Sequence, residues 1–278
     1  MAVKTGALQW LTWDTQAGAA YKCPGLVVGG SIKASSQLAI RRGAGNQGSH
    51  FAGPVGFGLD PQLECTTDSK ALLQYAIRSA GALTALKFKG GVDTTNGYDF
   101  LQETAYINQL RVSGTINGPL VAALDILSTA ETEAAVGGAP IALGSNLYPW
   151  EAAVITVGGA AVKVQSFDFS VNNNMTAYSS LDSKSAAAKR IPVGISPPGN
   201  EEINLSVNCL EKMTWGVGED TPAVNLAAVI TYTLGTSIVF TFASLAHVGD
   251  RAMPFVTDTG LVIWKYDLLG IPGSLVIT

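Results

Sequence analysis

The chain has 278 residues, of which 47% are hydrophobic and only 14% charged, with 17 Lys and Arg against 21 Asp and Glu for a net charge of −4. A charged share well under the usual ~25% points to surface that other protein covers, and the slight acidity excludes a cationic nucleic-acid footprint. Three widely separated cysteines, Cys23, Cys65 and Cys209, read as small buried hydrophobes and not as a disulfide framework.

The first 18 residues have no long apolar core and no cleavage pattern, so neither a signal peptide nor a membrane-spanning helix is expected. Trp10 and Trp13 are expected to be buried in the fold or against a partner. A polar loop, RRGAGNQGSHFAG, follows at 41–53. Its GAGNQG at 43–48 matches G-x-G-x-x-G, but no helical pattern follows, so the dinucleotide reading lacks the context it needs.

The spacing predicts a helix over 68–80, with Asp68 as cap, Leu72, Leu73, Ala76 and Ile77 on one stripe, and Gly81 as the stop. Strands follow at 106–115, with Ile107, Leu110 and Val112, and at 161–171. In the latter, AVKVQSFDFSV, period 2 puts Val162, Val164, Ser166, Asp168 and Ser170 on one face and Phe167, Phe169 and Val171 on the other. A second polar loop spans 172–190, and a strand at 203–209 alternates Ile203, Leu205, Val207 and Cys209 against Asn204, Ser206 and Asn208. A second helix is predicted over 222–230, with Pro222 in its first turn, before strands at 237–244 and 260–266. The fold class read from this pattern is mainly β, an antiparallel sandwich or barrel with one or two flanking helices.

Catalytic patterns are not evident. The two histidines, His50 and His247, sit in no metal or nucleophile constellation. Glu201 and Glu202 are adjacent and cannot flank one bond from a strand, and both are expected in a solvated turn, as are Glu131 and Glu133 in a small-residue loop. A β-sandwich binding module of the carbohydrate-binding or adhesin type would need Trp150, Trp215 and Trp264 to cluster as a platform.

One phrase occurs twice. PVGFGLDPQLEC at 54–65 and PVGISPPGNEEINLSVNC at 192–209 both run from Pro-Val-Gly through a Pro-bearing turn to an acidic residue and end on cysteine. With a long loop before each copy and a predicted helix after it, the unit reads as strand, long loop, strand, helix. The expectation is one domain over 1–278 with an internal pseudo-repeat near 25–81 and 160–230.

From WEAAVITVGGAAVKVQSFDFSVNNNM onward, and again in RIPVGISPPGNEEINLSVNCLEKM, the chain resembles the major tail tube protein of long-tailed bacteriophages. YINQLRVSGTINGPLVAALDILSTAE and SIVFTFASLAHVGDRAMPFVTDTGLVIWKYD extend the resemblance across most of 105–278. It implies a non-enzymatic, cofactor-free structural protein of the virion, assembled in the host cytoplasm without inserting into a membrane. It implies subunits that close into rings, six-fold for one tube domain per chain and three-fold for two, with double-stranded DNA passing through the stacked rings. One domain per chain leads to an expected homohexamer. Tape-measure, terminator and initiator proteins are the implied partners, and another tail component such as a terminator is the alternative. The two polar loops are the natural stacking elements, with Arg41, Arg42, Asn46 and His50 in the first and Asn172, Asn173, Asn174, Lys184, Lys189 and Arg190 in the second. Which residues line the lumen is left open.

Overall fold

The computed structural model describes residues 10–39, 51–93, 98–133, 141–144, 146–178, 193–211, 225–248 and 262–278. The fold is mainly β and antiparallel throughout, as expected. The first half contains β1 (Trp10–Thr15), β2 (Leu26–Gly29), β3 (Ile32–Ala39), β4 (Phe51–Leu59), β5 (Gln62–Glu64), helix α1 (Ser69–Gln74), β6 (Leu86–Asp93), β7 (Tyr98–Thr115) and β8 (Val121–Glu133). The second contains β9 (Ala153–Val157), β10 (Ala160–Ala161), β11 (Val164–Asn172), β12 (Ala177–Tyr178), β13 (Gly194–Ile195), β14 (Glu202–Cys209), β15 (Leu226–Leu234), β16 (Thr236–His247), β17 (Trp264–Gly270) and β18 (Leu275–Ile277).

Eight strands run side by side in the order β16-β17-β14-β11-β7-β8-β4-β3. The long strand β7 is where this wall divides. Its Tyr98–Ala105 stretch pairs β6, its Gln109–Thr115 stretch pairs β11 on the same edge, and β8 occupies the other edge. The core lies between the layers so formed. Phe169 of β11 meets Phe240 and Phe242 of β16 at 4.9 and 5.3 Å between ring centroids, and Phe167 meets Tyr232 of β15 at 6.3 Å. Trp10 and Trp13 are buried within the chain.

The two halves repeat one connectivity. β1 pairs β6, β6 pairs β7, β7 pairs β8, β8 pairs β5 and β5 pairs β2. In the same order β9 pairs β15, β15 pairs β16, β16 pairs β17, β17 pairs β14 and β14 pairs β11. Register repeats as well. Gly90 faces Phe100 in β6–β7, and 140 residues further on Ile230 faces Phe240 in β15–β16. Even the bulge recurs: Leu86/Phe88 opposite Ala105/Gln102 becomes Leu226/Ala228 opposite Leu245/Phe242. Only the end of the duplicated phrase falls on this repeat, in β5 in the first half and in β14 in the second; its start lies in β4, which pairs β3 and β8, and in β13, which pairs β12 in a separate two-stranded sheet.

Three local expectations are corrected. The stretch 226–230, expected as the end of a second helix, belongs to strand β15, because Leu226, Ala228, Ile230 and Tyr232 are buried with period 2 and both strand edges are paired. Small apolar residues fit either period, and tertiary pairing decides; residues 222–224 lie outside the described residues. The first helix is only Ser69–Gln74, and Asp68 makes no side-chain cap bond. Its carboxylate instead accepts the Gly144 N–H at 3.0 Å, and although the helix ends early at Gln74, positive φ at Ala80 and Gly81 turns the chain back where the stop was expected. In β11 a bulge between Val164 and Ser166 moves Val164 onto the buried face with Phe167, away from Asp168 and Ser170.

Candidate functional site

Alternation leaves one broad polar face on the eight-strand wall. Leu110, Val112, Leu124, Ile126, Phe167, Phe169, Ile203, Leu205, Val207 and Leu268 point into the core. The intervening residues of the same strands, including Arg111, Asp125, Asp168, Ser206 and Asp267, point away from it. These are mostly short side chains on β-strands and therefore present a low-relief surface.

The cations of this face are matched by acids. The Arg111 Nε lies 2.6 Å from Asp168 Oδ2, Lys33 Nζ lies 2.8 Å from Asp125 and 3.7 Å from Asp60, and Lys265 Nζ lies 3.0 Å from Asp267. At the margin Lys163 pairs Glu211. Partial burial acts to lower the Lys33 pKa, but the Asp125 hydrogen bond and the charges of Asp125 and Asp60 outweigh it and raise the value. Partial burial acts to raise Asp267, but the Ser206 hydroxyl and the Lys265 ammonium hold its carboxyl below the ordinary value. Between the charges, Asn208 donates to the Ser166 hydroxyl at 2.8 Å. Such a face is wet and close to neutral, with its positive charges already engaged.

This arrangement offers little to catalysis. Burial pushes the Cys65 thiol up to about 12, against the opposing Ser69 hydrogen bond, and burial does the same to Cys209, so neither is a ready nucleophile. Among the described residues there is no cluster of three His, Cys, Asp or Glu that could hold a metal. Trp150 and Trp264 are each partly buried and pack against the core, and Trp215 lies outside the described residues. Glu201, expected in solvent, is 4% exposed and accepts the Gly273 N–H, because the turn between β17 and β18 needs that acceptor.

Of the loop residues singled out from the sequence, Arg41, Arg42, Asn46, His50, Lys184, Lys189 and Arg190 lie outside the described residues. The structure places Asn172 at the end of β11, where its side-chain oxygen accepts the Asn174 N–H at 3.0 Å. Asn174 reaches the Asn200 carbonyl at 2.7 Å. Asn173 is fully buried and its amide is spent inside the chain: Nδ2 donates to the Ala76 and Ile107 carbonyls, and Oδ1 accepts from Arg78. The paired charges of the polar face were not singled out. The Ser-x-Asp-x-Ser spacing at 166–170 carries their face, but the partners are far apart in sequence.

The family model for phage tail tube proteins matches residues 4–210. The chain belongs to the phage tail tube protein family. The match covers the first half of the repeat and continues through β14 of the second. No curated protein matches the chain. The tail tube protein is a structural component of the phage tail, and hence of the virion. Among its described residues no helix is long and apolar enough to cross a membrane.

Proposed function

We propose that this tail tube protein closes into rings that stack into a tube, and that the polar face of the eight-strand wall lines the lumen through which double-stranded DNA leaves. The observation that carries this reading is the pairing of Lys33, Arg111 and Lys265 with acids on that face. A wall of free cations would exchange counterions for phosphate and hold the DNA, whereas a neutral, hydrated wall lets it slide. Ring closure also pairs sheet edges that would otherwise invite aggregation.

The stretches 41–50 and 179–190 supply the contacts between rings, since 51–53 belongs to β4 and Asn172 to β11. Because Asn173 is built into the core, that role falls on the part of the second loop beyond it, with Lys184, Lys189 and Arg190 meeting acidic residues of the neighbouring ring. Tape-measure, terminator and initiator proteins are the partners, and assembly takes place in the host cytoplasm. The protein performs no catalysis in this role.

Negative-stain microscopy of the purified protein over a concentration series, with the tail-tip complex added as initiator, tests the reading. Hollow tubes are expected. With Lys184, Lys189 and Arg190 all changed to Glu, rings that do not stack are expected. Single particles at all concentrations, with the initiator present, would overturn the assignment.

A further inference from the structure

The residue just before β14 is a buried acid. Glu201 continues the core stripe of Ile203, Leu205 and Val207 at period 2 and is 4% exposed, whereas Glu202 points outward. Its Oε2 accepts the Gly273 N–H, but its Oε1 has no hydrogen-bond partner. Among the described residues no Lys or Arg pairs with it. A carboxylate taken out of water needs a positive charge or a full set of donors, and one N–H supplies neither.

A second orphan lies beside it. Ser274 follows Gly273 directly, is 8% exposed, and its Oγ has no hydrogen-bond partner. A Cβ at Gly270 would meet Ser274 Oγ at 3.3 Å and Ile203 Cγ2 at 2.8 Å. The hydroxyl therefore sits against the same buried face of the chain that carries Glu201, two residues before Ile203. Both orphans belong to one turn. Ile271, Pro272, Gly273 and Ser274 close it, with the Ser274 N–H donating to the Ile271 carbonyl at 3.0 Å and φ of +76° at Gly273, as in a type II turn. Ile271, Pro272 and Gly273 are exposed, so the two oxygens lie one layer below solvent.

We propose that this turn is a divalent-cation site, with Glu201 Oε1 and Ser274 Oγ as its side-chain ligands and with turn carbonyls and water completing the shell. The side-chain ligands are hard oxygens on an irregular turn. That donor set fits Ca²⁺, which takes about 6–8 oxygens in flexible geometry, better than Mg²⁺, which demands a near-ideal octahedron. A single carboxylate puts the site at the weak end of the scale, with a dissociation constant of about 10⁻⁴–10⁻³ M.

The ion joins two segments of the chain. Asn200, just before Glu201, accepts the Asn174 side-chain amide at 2.7 Å, so the acid closes the return of the second polar loop. Ser274 leads into β18, which is only 3 residues long, pairs β16 and receives the Gln74 amide on the Ile277 carbonyl. Cation binding locks this last strand to the return of the loop. All the ligands come from one chain, so the site stands apart from the tube reading.

Calcium titration of chelator-stripped protein tests it. With CaCl2 the melting midpoint is expected to rise and saturate, calorimetric titration is expected to count one ion per chain, and hydrogen exchange is expected to slow at 274–278. Glu201→Gln keeps an acceptor for the Gly273 N–H and removes the charge, so it is expected to lose the shift. Ser274→Ala is expected to bind more weakly. No shift with CaCl2 up to about 10 mM, an equal shift with KCl of matched ionic strength, or an undiminished shift in Glu201→Gln would overturn the inference. Should Glu201→Gln not fold, the exchange pattern of the parent decides: protection by CaCl2 that spares 274–278 would overturn it as well.

Discussion

Arg78 and Asn173 clasp one another across the two halves of the chain. Arg78 Nε donates to Asn173 Oδ1 at 3.0 Å, and Arg78 Nη2 donates to the Asn173 backbone carbonyl at 3.2 Å. Asn173 Nδ2 in turn donates to Ala76 O at 3.0 Å and Ile107 O at 3.1 Å. One buried amide thus ties the turn after α1, the middle of β7 and the end of β11. Asn173→Ala leaves two buried carbonyls and part of a guanidinium without partners, at a cost of about 2–4 kcal/mol. A matching fall in the midpoint of denaturant unfolding, with unchanged slope, is expected. Asn173→Asp should not rescue, because a carboxylate cannot donate to the two carbonyls.

Gly114 lies opposite Phe167 in the ladder that joins the halves. A Cβ at that position would sit 2.4 Å from the Tyr232 hydroxyl oxygen and 2.6 Å from the Phe167 ring. Gly114→Ala therefore forces the aromatic cluster apart, and a loss of about 1–3 kcal/mol is expected. Native-state hydrogen exchange should locate the damage in β7 and β11. Uniform exchange across the chain would contradict it.

The polar face should set an acid and an alkaline limit. The Asp267 carboxyl is held below its ordinary value, so its contribution is complete above about pH 4 and is lost as pH falls through the lower folded value. Lys33 is held above its ordinary value, so its contribution is complete below about pH 10 and is lost as pH rises through the higher folded value. Both pairs are substantially exposed, and each is worth only ~0.2–1 kcal/mol, less in high salt. Thermal melts of the parent and of Asp267→Asn should differ near neutral pH and converge below about pH 4.

Cys65 and Cys209 should resist thiol reagents in the folded protein at neutral pH. Both are fully buried, and burial pushes each thiol up to about 12. Labelling should be slow until denaturant opens the fold. Fast labelling of either residue in native protein would show that the closed core described here opens readily.

Replacing Arg111 and Asp168 each by Ala should leave the fold nearly untouched, within ~1 kcal/mol, because the pair sits on the uncovered face. Asp168→Ala alone leaves Arg111 unmatched. If the polar face lines the channel, tubes of this single variant should bind double-stranded DNA more tightly at low salt than tubes of the double variant, as filter binding would reveal.

The sequence by itself determined the strand character, because period-2 burial of Ile203, Leu205, Val207 and Cys209 is a property of neighbouring residues. It also carried the family resemblance. It could not place 226–230, where short apolar residues satisfy two periodicities and only β9 and β16 on either side select the strand. It could not show the bulge at Val164, which depends on what β14 presents. Nor could it show that Asn173 is a buried clasp and not a loop residue, since its partners Ala76, Arg78 and Ile107 lie far away in sequence. The pairing of Arg111 with Asp168 belongs to the same class. Alternation is local and survives in the string of residues; register, charge pairing and open edges depend on which distant strands meet, and only the tertiary structure decides that.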